Sequence, residues 1–114
     1  MPRYLISFDA GSMDHIPEEE GPDVADAAHA VTREAQEAGV WVFAGGLFPV
    51  ETVSAVGTDG AVADGAESKA YMGGLTIVDV PSRQEALRWA AKFAVACRCA
   101  QEVREFLPDP EVGN

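Results

Sequence analysis

Two short segments constrain this chain more than any other feature. Val40-Trp41-Val42-Phe43-Ala44 and Leu75-Thr76-Ile77-Val78-Asp79-Val80 each read as a β-strand, and each is apolar on both faces. In the first, Trp41 and Phe43 point one way while Val40, Val42 and Ala44 point the other; in the second, Leu75 and Ile77 oppose Val78 and Val80. A sheet built from such strands must be covered on both sides.

The remaining elements supply cover for one side. Arg3 to Phe8 predicts a strand, ended by the breaker cluster Asp9-Ala10-Gly11-Ser12. A polar loop over residues 9–21 follows, carrying Met13-Asp14-His15-Ile16-Pro17. Pro22 then suits a first helical position, with Asp23 and Asp26 at the positive end of the dipole. Val24, Ala27, Ala28, Val31, Ala35 and Ala38 form the apolar stripe of that helix, and Gly39 closes it. Residues 51–56 and 61–63 flank Thr58-Asp59-Gly60, a hairpin signal, and residues 64–74 read as a loop bracketed by Asp64-Gly65 and Gly73-Gly74. Ser82 and Glu85 have the spacing of a capping box. The helix they open carries Ala86, Leu87, Ala90, Phe93, Ala94 and Cys97 on one face, with Trp89 at its margin. Cys99 to Phe106 predict a last strand, and Pro108-Asp109-Pro110 ends regular structure.

Strand–helix–strand, hairpin, strand–helix–strand is the order of a ferredoxin-like α+β sandwich with an inserted β-hairpin. The expected domain covers residues 1–107, with a C-terminal tail over 108–114. Two helices cover one face of its sheet. A homodimer packed sheet against sheet is the simplest cover for the other, with upward of ~2,000 Å² buried in total.

The length of 114 residues fits one domain. Charge narrows its partners. Up to Glu67 there are 13 acids against two bases, and from Ser68 onward six of each. So acidic a chain is a poor ligand for phosphate backbones or anionic membranes, and no nucleic-acid or membrane partner is expected. No apolar run approaches the ~20 residues of a membrane span, and no signal-peptide pattern opens the sequence. Two cysteines are too few for a disulfide scaffold, so a reducing cytoplasm is expected. Cys97-Arg98-Cys99 lacks the spacing of zinc knuckles or redox pairs, and both cysteines fall at apolar positions, as buried unreactive thiols do. Gly45-Gly46 and Gly73-Gly74 are not phosphate loops; they read as strand ends where backbone approaches backbone. No metal or cofactor is indicated.

Candidate chemistry rests on few side chains. His15 follows Asp14 in the loop that leaves the first strand, where reactive groups are commonly mounted, and Asp9 at the strand end is an alternative partner. His29 lies about 140° around the helix from the centre of the apolar stripe, which points it away from the sheet and favours His15 as the acid–base group. Glu102 and Arg104 share a face of the last strand, a pattern that suits recognition of a polar ligand, pairing with each other, or pairing across a dimer.

The stretches MPRYLISFDAGSMDHIPEEE, AAHAVTREAQEAGVWVFAGGL, DGAESKAYMGGLTIVDVPSRQEAL and WAAKFAVACRCAQEVREF together resemble the YCII-related family, in the subgroup that carries a DGPF motif. The resemblance implies a ferredoxin-like subunit paired into a dimeric α+β barrel. Asp64-Gly65 match the start of the motif, but the chain runs through Ala66 to Glu67-Ser68-Lys69 without the Pro and aromatic of a typical member. Some relatives use a histidine and an aspartate for acid–base chemistry on small molecules, including removal of halide from a chlorinated ring. In some relatives the histidine lies on the first helix, near His29. The resemblance thus implies a lyase or isomerase acting on a small-molecule ligand, with Asp64 added to the candidates His15, Asp14 and His29. Other relatives are encoded beside extracytoplasmic-function sigma factors, which implies instead a binding or regulatory module.

Overall fold

A computed structural model of the protein describes residues 1–65 and 71–114. Glu67-Ser68-Lys69, in the altered motif, lies outside the described residues. The elements are β1 (Arg3–Asp9), α1 (Gly21–Glu37), β2 (Trp41–Gly46), a hairpin of β3 (Ser54–Val56) and β4 (Val62–Asp64), β5 (Met72–Asp79), α2 (Arg83–Cys97) and β6 (Glu102–Glu105). The main sheet has the order β2-β5-β1-β6 with every pairing antiparallel. This is the ferredoxin-like α+β architecture, with the hairpin set apart as a second, two-stranded sheet.

Local chemistry sets the boundaries. Gly39 adopts φ 75° just past α1, as a helix-closing glycine should. Ser82 accepts the Glu85 backbone N–H at 3.2 Å and caps α2. The reciprocal half of a capping box is replaced: Glu85 turns its carboxylate to Arg88 at 3.0 Å. Asp59 accepts the Ala61 N–H at 2.9 Å, and Gly60 at φ 83° closes the hairpin.

The core lies between the sheet and α2. Tyr4, Ile6, Val78 and Val80 from the sheet meet Ala86, Trp89, Ala90, Phe93 and Ala96 of α2, joined by Val31 and Ala35 of α1. Trp89 is 4% exposed, not marginal, whereas Leu87 is 44% exposed. The reason is that α2 packs against both the sheet and α1, so its buried arc extends to Trp89 and Ala96. Helix α1 packs chiefly on α2, with little contact to the sheet, and Lys92–Glu34 at 3.0 Å ties the two helices together.

Several sequence expectations are corrected. Residues 50–52 form a 3₁₀ turn, so the hairpin strands are three residues each. The last strand begins at Glu102 rather than Cys99, and a 3₁₀ turn, Pro110–Val112, falls in the tail. Gly73 and Gly74 lie inside β5, not in a loop before it. Most consequential is β2. Trp41 pairs with Val78 and Phe43 with Ile77, a bulge that places two residues of β2 against one step of β5. Directly paired residues share a face, so Trp41 joins the buried Val78 on the helix side while Phe43 joins Ile77 on the other. The regular alternation that put Trp41 and Phe43 together does not hold.

Candidate active-site cleft

Because α1 leans chiefly on α2 and only lightly on the sheet, a cleft of about 740 Å³ opens between α1, β2 and β5. Trp41, Ala44 and Thr76 lie on the sheet side, and Phe93 and Cys97 belong to α2. The loop before α1 forms one lip through Met13, Ile16, Pro17 and Glu18. Along α1 the lining runs Gly21, Val24, Ala25, Ala28, His29, Thr32, the three- and four-residue steps of one helical flank. The lining is mostly apolar, with polar groups confined to Glu18, His29, Thr32, Thr76 and Cys97. That balance is characteristic of small-molecule sites. Burial, and secondarily the neighbouring Cys99, push the half-buried Cys97 thiol above the ordinary thiol range.

A smaller cleft of about 430 Å³ adjoins it, with Asp14, Glu51, Phe48 and Tyr71 in its walls. Phe8 and Met13 line both clefts. Phe8 pairs across the sheet with Gly74, which in turn pairs with Gly46. The Phe8 ring lies over this glycine row: a Cβ on Gly74 would fall 2.5 Å from its Cζ, and one on Gly73 would fall 3.0 Å from its Cε2.

The sequence candidates are dispersed. His29 is exposed, as its place on the helical wheel implies, and it also lines the larger cleft, which the wheel did not show. The helical wheel was centred on the stripe Val24, Ala27, Ala28, Val31, Ala35 and Ala38; Val31 and Ala35 are buried in the core with α2, while the cleft takes Val24 and Ala28 together with the flank beside them. Asp14 lines the smaller cleft. Among the described residues, His15, Asp9 and Asp64 are exposed and line neither cleft. Asp64 accepts the Ser54 hydroxyl across the base of the hairpin. The Asp9 backbone carbonyl accepts the Ser12 hydroxyl at 2.7 Å. Glu102 pairs with Ser7 and Arg104 with Leu5, which sets both on the helix-free face. Among the described residues no ion pair joins them.

Sequence reading missed Glu18, Thr32, Thr76 and Cys97 as cleft groups. One signal was available: glycine pairs at both 45–46 and 73–74 mark a sheet region stripped of side chains, where space opens above the strands.

The family model of the YCII-related domain matches residues 5–107. The chain belongs to the YCII-related family. Among solved structures, this YCII-related chain is similar to 5-chloro-2-hydroxyhydroquinone dehydrochlorinase from Burkholderia phenoliruptrix AC1100, in complex with 2,5-dihydroxybenzoquinone. The TM-score is 0.53 at 15% identity, covering 97% of this chain and 98% of that one. At that identity the likeness is one of fold. No curated protein matches the sequence.

Among the described residues no helix is long and apolar enough to cross a membrane, and no group of three or more His, Cys, Asp or Glu is placed to hold a metal ion.

Proposed function

We propose that the cleft beside α1 binds a small aromatic or quinonoid molecule and that His29 moves a proton on it, the chemistry of a lyase or isomerase. The observation that carries this reading is the placement of a single imidazole in an otherwise largely apolar cleft of about 740 Å³. An imidazole in such surroundings accepts a proton from a substrate carbon or hydroxyl and returns it elsewhere on the ring, or to a departing group. Trp41 and Phe93 offer aromatic surface to a planar ligand, and Glu18 on the lip offers a carboxylate to its hydroxyl groups. The similar dehydrochlorinase, which holds a dihydroxybenzoquinone, supports the choice of ligand class. His15, with Asp14, is the weaker candidate because it lines neither cleft.

Incubation with chlorinated hydroquinones, followed by halide release and quinonoid absorbance, tests the reading. Turnover is expected, with His29→Gln losing it by about 100-fold or more and His15→Gln retaining it. Saturable binding without turnover instead supports the non-catalytic alternative, a binding or regulatory module. Turnover unaffected by His29→Gln overturns the assignment.

A second copy of the chain covers the open face of the sheet in this reading. Leu5, Phe43, Leu75 and Ile77 lie on that face, opposite both helices, and Phe43 is 59% exposed. An apolar patch of this kind is rare on monomers. Glu102 and Arg104 flank it and suit pairing across the dimer or contact with a polar part of the ligand.

A further inference from the structure

We infer that Phe8 is the partition that keeps a ligand in the larger cleft from reaching the carboxylates of the smaller one. The inference rests on the larger cleft being the ligand site and adds what limits the ligand's reach. Three observations carry it. Phe8 and Met13 are the two residues common to both linings, so they form the wall between the clefts. Phe8 is fixed there because its ring lies over Gly73 and Gly74, where an added Cβ would fall within 3.0 Å of it; an aromatic ring folded over a cross-strand glycine is a stabilised arrangement in antiparallel sheets. Gly74 is buried beneath the ring, so the ring replaces the side chain that the strand lacks.

The chambers differ in chemistry. The larger one carries His29 amid aromatic and aliphatic groups, whereas the smaller one carries the carboxylates Asp14 and Glu51 beside Phe48 and Tyr71. With Phe8 in place, a ligand in the larger chamber stops at the ring. With the ring removed, the second ring of an elongated ligand enters the smaller chamber, where the carboxylates accept hydrogen bonds from a terminal hydroxyl or amine.

The test compares phenol with 4-phenylphenol on the wild-type protein and on Phe8→Ala, reading binding from backbone amide NMR shifts. These probes undergo no quinone chemistry, so failure of the proposed reaction leaves the result readable. On the wild type, phenol and 4-phenylphenol both shift residues of α1 near His29 and leave residues 47–51 unshifted. On Phe8→Ala, 4-phenylphenol gains about tenfold in affinity, the scale on which pocket size discriminates ligands, and its shifts extend to residues 47–51 and Asp14. Phe8→Leu, which keeps bulk with less risk to folding, shows an intermediate gain. The inference is overturned if either variant changes the affinities for both probes by the same factor. It also falls if 4-phenylphenol already shifts residues 47–51 in the wild type, or if neither probe binds any form.

Discussion

The Arg98 guanidinium meets the Glu20 carboxylate at 2.6 Å, joining the end of α2 to the turn that precedes α1. Arg98 does so from a left-handed backbone, φ 55°, the lone non-glycine with positive φ among the described residues. The two terms oppose each other. A half-exposed ion pair contributes at most about 1 kcal/mol, and the left-handed conformation costs a side-chain-bearing residue about 1 kcal/mol. Arg98→Ala keeps the strain and loses the pair, so it should destabilise by about 0.5–1 kcal/mol. Arg98→Gly loses both and should stay within about 0.5 kcal/mol of wild type. Urea denaturation of the two variants checks this; equal losses would show that backbone strain plays no part.

The contact of Phe8 with Gly74 predicts strong coupling between them. Gly74→Ala alone should cost about 1–3 kcal/mol, because the new methyl overlaps the ring. In a Phe8→Ala background the same change should cost less than about 1 kcal/mol, since the space is then vacant. A double-mutant cycle by thermal melting measures the difference. Additive losses would mean that the ring yields freely.

How legible was this in the sequence? Pro22, Gly39, Ser82 and Asp59-Gly60 marked their caps and turns because each depends on one residue's own backbone chemistry. The two-sided apolar strands marked a sheet with cover on one side. The bulge in β2 was not legible, since nothing in Val-Trp-Val-Phe-Ala distinguishes a regular strand from one that doubles a step. The strand through Gly73 and Gly74 was not legible either, because what lets glycines stay in register is a ring sixty-odd residues earlier. The place of His29 in the cleft was not legible for a related reason: a helical wheel finds the stripe that packs, and the cleft extends onto the neighbouring flank.

Cys97 reports on the cleft. Its half-buried thiol, held above the ordinary range by burial and by Cys99, should react with iodoacetamide about tenfold or more slowly than free cysteine at neutral pH. The rate should keep climbing beyond the pH at which a free thiol levels off. Peptide mass spectrometry over a pH series checks both points. Reaction as fast as the free amino acid would place the thiol in open solvent.

Alkaline pH should destabilise the fold through Tyr4. The buried phenol donates to Glu105 Oε1 at 3.3 Å, and burial, followed by the Glu105 charge, raises its pKa above the ordinary 10.0. The unfolded chain therefore loses this proton first. Stability from this group is complete below pH about 10 and falls as pH rises through the native value. Melting temperatures measured from pH 8 to 11 should drop for wild type and drop less for Tyr4→Phe.

The helix-free face predicts association. In light scattering at micromolar concentration, the particle should weigh twice the 12.1 kDa of the chain. Ile77→Lys, which sets a charge in the middle of that face beside Leu5 and Phe43, should return it to one chain's mass while leaving the far-UV spectrum unchanged. A wild type of single-chain mass would remove the dimer.

Helix α1 divides its labour lengthwise. Val31 and Ala35 anchor it in the core, while Gly21, Ala25, Ala28, His29 and Thr32 line the cleft with little part in that anchoring, and Val24 is buried in the cleft wall. A lineage carrying this architecture can therefore exchange the residues of one flank, and with them its ligand, without disturbing the other. Such a scaffold tolerates innovation at the very helix that shapes its chemistry.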